Sequence, residues 1–200
     1  DGPWLIFAPH PDDETFGMGG SIIKAKEQGL DVHLVILTDG SLGGNAKNLA
    51  ETRKREAERV SEILGVKSLR FWSEPDRSLD KNQTTIQRAC QAILETRPAT
   101  VYFPGPLEIH PDHRNTALLV WEALQRVKAP NFYPEPISYE ISVQSPVNML
   151  IDISDQIKIK QIAMNLYASQ NTQNNYPELV LALDKGRTFS LPTEIKFAEA

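Results

Sequence analysis

Apolar residues in this chain fall into two alternating rhythms. Trp4-Leu-Ile-Phe-Ala8 is a short continuous apolar run that stops at Pro9, and Val32-His-Leu-Val-Ile-Leu37 repeats it. Runs of this length suit strands buried on both faces better than helices. Between them, Ser21 to Gln28 carries Ile22, Ile23 and Ala25 and closes on Gly29, which predicts a helix with a glycine cap and completes a βαβ unit. The alternation continues with a helix from about Ala50 to Leu64 ending at Gly65, a strand at Leu69 to Trp72, a helix at Gln83 to Thr96 and a strand at Val101 to Phe103. A helix from about Pro111 to Val127 follows, and Ala129 to Gln144, rich in Pro, Tyr and Ser, reads as loop with a late strand. Met149 to Asp152 predicts another strand, Ser154 to Ser169 a helix, and Glu178 to Lys185 a short helix after the polar run Gln170 to Asn175.

Strands alternating with helices at this spacing predict an α/β fold, a Rossmann-like three-layer sandwich with a mostly parallel sheet and helices on both faces. A length of 200 residues with 40% hydrophobic composition suits one domain spanning residues 1–200. In such sheets the ligand site lies beyond the carboxyl ends of the strands.

Composition narrows the partners. The net charge is −5 and the 21 basic residues are dispersed, so no basic stripe exists to neutralise a phosphate backbone, and nucleic acid is excluded as an expected partner. The single cysteine, Cys90, excludes an internal disulfide and sits in the apolar rhythm of Ile86, Ala89, Ile93 and Leu94, where a small buried thiol is expected. No apolar run approaches the ~20 residues needed to span a bilayer. The expected location is cytoplasmic, with further residues preceding Asp1, which stands where a start methionine would be.

Two clusters carry candidate chemistry. His10-Pro-Asp-Asp-Glu14 follows the first strand directly, and the prolines at 9 and 11 fix φ on both sides of His10, favouring a rigid, non-helical presentation. His110-Pro-Asp-His113 follows the strand at 101–103, with Pro111 at the first position of a helix, His110 near its N-cap and His113 one turn in. Three of the four histidines thus stand beside aspartates at one end of the sheet. His33, inside the second strand, is expected to be a satisfied structural histidine. Catalytic zinc takes three His or carboxylate ligands and keeps a position for water or substrate, which assigns His10, Asp13 and His113 to one Zn2+ per chain. Neighbouring residues of an extended segment project to different sides, so Asp12 and Asp13 do not both bind one ion; one ligates and the other is free to act as a base. Zinc lowers the pKa of its water from ~16 toward ~7, within reach of a carboxylate base.

These two motifs together resemble the PIG-L/LmbE family of N-acetylglucosaminyl deacetylases. The resemblance extends to Thr38-Asp-Gly-Ser-Leu-Gly-Gly44, to Arg53 with Glu56, and to Tyr167-Ala-Ser-Gln170. It implies a zinc site of His10, Asp13 and His113, Asp12 as general base, and His110 assisting the oxyanion or the departing amine, with Asp112 orienting His110. It also implies an acylated amino sugar as substrate and association into a homo-oligomer. Arg53 shares a helical stripe with Ala57, Val60 and Leu64, so its guanidinium faces the core side, either toward sugar hydroxyls or in an ion pair with Glu56. Asp76 resembles a loop aspartate that takes sugar hydroxyls and equally suits a turn. Residues 38–44 read as a flexible wall or lid, and Ser41 stands where the family often has an acidic residue. Two other readings remain: a metal-dependent esterase or phosphoesterase, and a non-catalytic sugar-binding module.

Overall fold

A computed structural model of the protein describes residues 2–200. Five strands, β1 (Trp4–Ala8), β2 (Val32–Thr38), β3 (Ser68–Glu74), β4 (Thr100–Pro104) and β5 (Glu135–Tyr139), form one sheet in the order β3-β2-β1-β4-β5. Every pairing in it is parallel. The predicted α/β sandwich is therefore present, and the chain reverses its direction of winding between β1 and β4.

Side-chain alternation along the strands builds the two outer layers. Ile6, Ala8, Leu34 and Ile36 face a core shared with α1 (Asp13–Glu27), α2 (Leu49–Leu64) and α5 (Ile157–Leu166). Leu5, Phe7, Val35 and Leu37 face α3 (Gln83–Thr96) and α4 (Pro111–Arg126). Cys90 packs against the second core but is only half-buried, because its thiol sits where α3 crosses α4 and points at the Ala123 carbonyl.

The first helix starts at Asp13 rather than Ser21. Gly17, Gly19 and Gly20 weaken the helical signal, since each glycine costs about 1 kcal/mol relative to alanine. Packing outweighs that cost. A Cβ on Gly17 would fall against the Glu140 carbonyl and 2.6 Å from the Tyr139 ring, and one on Gly20 would lie 2.6 Å from Ile153. The glycines let α1 lie close on its neighbours, and the extra turns place its N-terminus directly after β1.

The predicted 149–152 strand shrinks to β6 (Ile151–Asp152), which pairs antiparallel with β7 (Ala198–Glu199) at the chain's end. The predicted 154–169 helix breaks at Tyr167 into α5 and a short α6 (Ala168–Asn171), and α7 (Tyr176–Gly186) follows. The C-terminal segment has a structural role that the sequence pattern did not disclose. Glu199 accepts from the backbone N–H groups of Gly20 and Ser21, both at 2.7 Å, and pairs with the fully buried Lys160, which also reaches Asp184 at 2.7 Å. Among the described residues no helix is long and apolar enough to cross a membrane.

Replacing Gly17 with Ala is expected to lower the unfolding free energy by roughly 1–3 kcal/mol through overpacking. Urea denaturation checks this, and an unchanged midpoint would mean that α1 can move away from Tyr139 without penalty.

Candidate active site

The loops after β1 and β4 meet because these strands are hydrogen-bonded neighbours, with Trp4 to Ile6 in register with Thr100 to Tyr102. This is the reversal point of the sheet, where α/β folds open a crevice. His10 leaves β1. Asp12 is the residue before α1 and Asp13 its first residue, so the two aspartates straddle a helix start rather than lying in one extended segment. His110 caps α4, Pro111 opens it, and His113 follows within the first turn, as the motif predicts.

Three atoms converge. His10 Nδ1 lies 2.9 Å from Asp13 Oδ2, His113 Nε2 lies 3.2 Å from the same oxygen, and the two ring nitrogens are 3.3 Å apart. The far nitrogen of each ring faces a carboxylate. His10 Nε2 is 3.1 Å from Asp112 Oδ2 and 3.3 Å from Asp76 Oδ1, and His113 Nδ1 is 3.4 Å from Glu108 Oε2. Carboxylates in that position fix the tautomer that turns the lone pair inward, the usual arrangement around a metal. His110 stands against both rings, with centroids 4.6 Å from His10 and 5.0 Å from His113. Together His10, His110 and His113 can bring ligating nitrogens within 4.8 Å of one another, so this His/Asp cluster is able to hold a metal ion.

Asp112 sits differently from expectation. Its carboxylate is 4.0 Å from His110 Nδ1 and is spent on His10 and on the backbone N–H groups of Arg77 and Leu79. It is the Asp112 backbone N–H that donates to His110 Nδ1, at 3.2 Å.

Asp12 occupies an unusual backbone conformation, φ 137° and ψ −30°. An L-residue there carries strain of about 1–3 kcal/mol and persists only where its surroundings over-determine it. Arg53 supplies part of that constraint. Its Nη2 lies 2.9 Å from Asp12 Oδ2 and donates to the Pro11 carbonyl at 2.7 Å, while Nη1 donates to the Gly40 carbonyl. The ion pair is thus with Asp12, not Glu56. Glu56 instead accepts from the Ser169 amide and hydroxyl at 2.9 and 2.6 Å. Gly40 and Gly43 lie flat on the guanidinium, where a Cβ at either would come within about 2.6 Å of it. The 38–44 loop is therefore a fitted cover over Arg53.

Burial dominates the electrostatics. It raises the Asp12 carboxyl to about 7 against the lowering effect of Arg53, with Asp13 adding to the rise. Burial pushes the His113 ring down, but Asp13 by charge and hydrogen bond, helped by Glu108, carries it up to about 9. His10 is likewise raised by its carboxylates, and Asp13 is held well below the ordinary carboxylate value by His113 and His10. His110 is lowered by burial and by the two neighbouring rings. Asp76, despite burial, falls to about 2 through its hydrogen bond to His10.

His10, Asp12, Asp13, Arg53, Asp76, His110 and His113 line one cleft of about 350 Å³. Arg53 and Asp76 stand on its polar side, and Phe16, Ile141, Tyr176, Leu179, Val180 and Leu183 form an apolar flank. A larger groove of about 530 Å³ runs along β5 but contains none of the four histidines. Glu108, which the sequence reading passed over, is 2% exposed and also accepts from the Ile141 amide at 2.8 Å and the Ser142 hydroxyl at 2.5 Å. Its signal was a lone acid between Leu107 and Ile109, two residues before His110. His33 bonds Ser68 at 2.7 Å and does not line the cleft.

Residues 5–124 match the family described as PIG-L, GlcNAc-PI de-N-acetylase. The chain belongs to this family. A relative from Thermococcus kodakarensis, a diacetylchitobiose deacetylase, is 34% identical over 184 residues, covering 83% of this chain and 69% of that protein. The solved N,N'-diacetylchitobiose deacetylase of Pyrococcus horikoshii superimposes with a TM-score of 0.86 at 26% identity, over 99% of this chain and 82% of that one. A 4-carboxy-2-hydroxymuconate hydratase from Pseudomonas putida superimposes with a TM-score of 0.82 at 23% identity, over 99% and 94%, and shares the fold. The PIG-L fold therefore does not by itself select the reaction.

The shifts predict a pH dependence for the metal-free protein. His113, raised from 6.5 to about 9, stabilises the fold fully below 6.5 and loses that contribution as pH rises through 9. Asp12, raised from 3.8 to about 7, favours the protonated fold, so its contribution also declines as pH rises through 7. Chelator-treated protein is expected to show a lower denaturation midpoint at pH 9 than at pH 6. A midpoint that rises over this window would contradict the pairing of Asp13 with protonated imidazoles.

Proposed function

We propose that this chain is a zinc-dependent amidohydrolase that removes the acetyl group from the nitrogen of an N-acetylglucosamine-type sugar conjugate. One observation carries the reading: three converging donors, with separations of 2.9, 3.2 and 3.3 Å, beside the carboxylate of Asp12 in a cleft. Tetrahedral zinc with bonds of ~2.0–2.1 Å needs ligand atoms roughly 3.3 Å apart, which His10, Asp13 and His113 fit. The acetylated amino sugar as substrate is supported by family membership and by the activities of the named deacetylases.

Bound zinc would supply Lewis acidity toward the amide carbonyl and a more acidic water. Asp12 is the general base: burial pushes its carboxyl up from the ordinary carboxylate value, which makes it a stronger acceptor for the proton of the attacking water. His110 is a hydrogen-bond donor. Its Nδ1 accepts from the Asp112 amide, so the neutral ring carries its proton on Nε2, available to hydrogen-bond the oxyanion, while the proton that Asp12 takes from the water passes to the departing amine nitrogen as the C–N bond breaks. The lowered pKa of His110 favours this neutral donor over an imidazolium. Arg53 acts on the sugar's wall chiefly by fixing Asp12, and Asp76 completes that wall while holding His10. The apolar flank is left for the rest of the conjugate.

Asp12→Asn is expected to retain one zinc per chain while amine release falls by at least about a hundredfold. His113→Ala is expected to lose the metal, read by elemental analysis, and its activity with it. The panel is N-acetylglucosamine conjugates, acetate and phosphate esters, and an unsaturated dicarboxylate for hydration. Zinc-loaded protein that releases phosphate or hydrates the alkene but frees no amine would overturn the deacetylase reading. Undiminished turnover in zinc-loaded Asp12→Asn protein would remove Asp12 from the mechanism.

A further inference from the structure

The corner between α5 and α6, residues 167–170, belongs to neither His/Asp loop, yet one of its side chains reaches a group that holds Asp12. Tyr167 is fully buried and its hydroxyl donates to Glu14 Oε1 at 2.6 Å. Glu14 is also fully buried, takes no part in the proposed chemistry, and receives two further donors. The Thr15 hydroxyl reaches Oε1 at 2.6 Å, and the backbone N–H of Asp12 reaches Oε2 at 3.3 Å. Two residues on, Ser169 is bound to Glu56, which stands one turn from Arg53 on α2.

These contacts bear on a residue whose backbone does not hold itself. Asp12 has φ 137°, outside the wells that a side-chain-bearing residue ordinarily occupies, so something must fix it from outside. Its carbonyl is held by the amides of Thr15 and Phe16, both at 2.9 Å, and its carboxylate by Arg53 at 2.9 Å. Its amide has one acceptor, Glu14, and the orientation of that carboxylate is set by Tyr167 and Thr15. Thr15 is the next residue in the same helix and moves with it. Tyr167 comes from a different element and is the external anchor.

We infer that Tyr167 and Glu14 are positioning residues that hold the strained backbone of Asp12, and so aim its carboxylate into the cleft. The inference rests on Asp12 being the base, but its structural half stands without that reading. A phenolic hydroxyl that acted only as core filling would have no reason to end on a buried carboxylate bonded to residue 12. Because the tie passes through the backbone of Asp12 rather than through His10, Asp13 or His113, its loss acts on turnover and leaves the metal donors in place.

The test is Tyr167→Phe in the zinc-loaded full chain, which removes one oxygen and keeps the ring against Phe16. Glu14→Gln is the second variant, in case loss of the hydroxyl hinders folding. Tyr139→Phe is the control, since Tyr139 is similarly buried and its hydroxyl donates to a strand carbonyl, that of Phe7 at 3.0 Å. For Tyr167→Phe, kcat for amine release is expected to fall by roughly ten- to a hundredfold with KM within about twofold and zinc content unchanged. Tyr139→Phe is expected to keep kcat within about twofold while losing comparable thermal stability. A crystal structure of Tyr167→Phe is expected to show residue 12 outside its φ of 137° or its carboxylate displaced from Arg53. An unchanged residue 12 in that structure overturns the inference whatever the turnover does, and so does a kcat equal to wild type. Should the wild-type protein free no amine, the deacetylase reading fails and the crystal structure alone decides the positioning role.

Discussion

The parallel pairing of β1 with β4 is the constraint on which the site depends. Residues 10 and 113 are separated by 103 positions in the chain, and neither loop alone assembles three inward-facing donors. Pairing Trp4 to Ile6 with Thr100 to Tyr102 brings the strand ends level, and helices α1 and α4 then start on opposite faces of the sheet. The crevice between the two helix starts is where His10, Asp13 and His113 meet. Their rings hold that position because Asp112, Asp76 and Glu108 take the outward nitrogens, and those carboxylates are themselves anchored by backbone amides of residues 42, 77, 79 and 141. Positioning therefore runs from sheet register to loop, from loop to carboxylate, and from carboxylate to imidazole.

That arrangement concentrates acid in a dry place. Asp12, Asp13, Glu14, Asp76, Glu108 and Asp112 are all buried within one cluster, against Arg53 and three imidazoles. Buried carboxylates need compensation by charge or by hydrogen bonds, and uncompensated ones take up protons instead. At Asp13 the two imidazoles outweigh burial, whereas at Asp12 burial outweighs the charge of Arg53. A divalent cation seated among the inward donors relieves the same excess, and it competes with the protons that otherwise bridge Asp13 to His10 and His113. The donor set is thus able to hold a metal ion in the place of those protons.

How much of this was legible in the sequence depended on the range of the interaction that decides each feature. Strands β1, β2 and β4 were legible because they are buried on both faces and read as nearly continuous apolar runs. The two motifs were legible because proline, histidine and aspartate mark a strand exit and a helix cap locally. The start of α1 was not, since its glycines are there for Tyr139, Glu140 and Ile153, residues more than a hundred positions away. The ion pair of Arg53 was assigned to Glu56 for the same reason: helical spacing shows which face a side chain takes, but only the tertiary fold shows that Pro11 and Asp12 lie across from it. Asp112 kept its predicted place beside the histidines and changed its partner from His110 to His10, a distinction of one ring that spacing does not resolve. Glu108 was missed because an acid in a loop carries no sign of burial until the backbone of residues 141–143 is seen to close over it.

A fold that serves both deacetylases and a hydratase leaves specificity to the few side chains that face the cleft. Among the side chains that face the cleft here, the two aspartates are held asymmetrically. They are adjacent in sequence, yet one is the first residue of a helix and bonded to two imidazoles, while the other sits outside it in a strained conformation against an arginine. Their environments push their acidities in opposite directions, the separation expected when one carboxylate ligates and its neighbour moves protons. A regular helix start at residue 12 would take its backbone out of the conformation from which its carboxylate meets Arg53. The unusual φ of Asp12 is for this reason part of the site's chemistry, and the contacts that maintain it, Arg53 on the carboxylate and Glu14 on the amide, belong to the site as much as the histidines do.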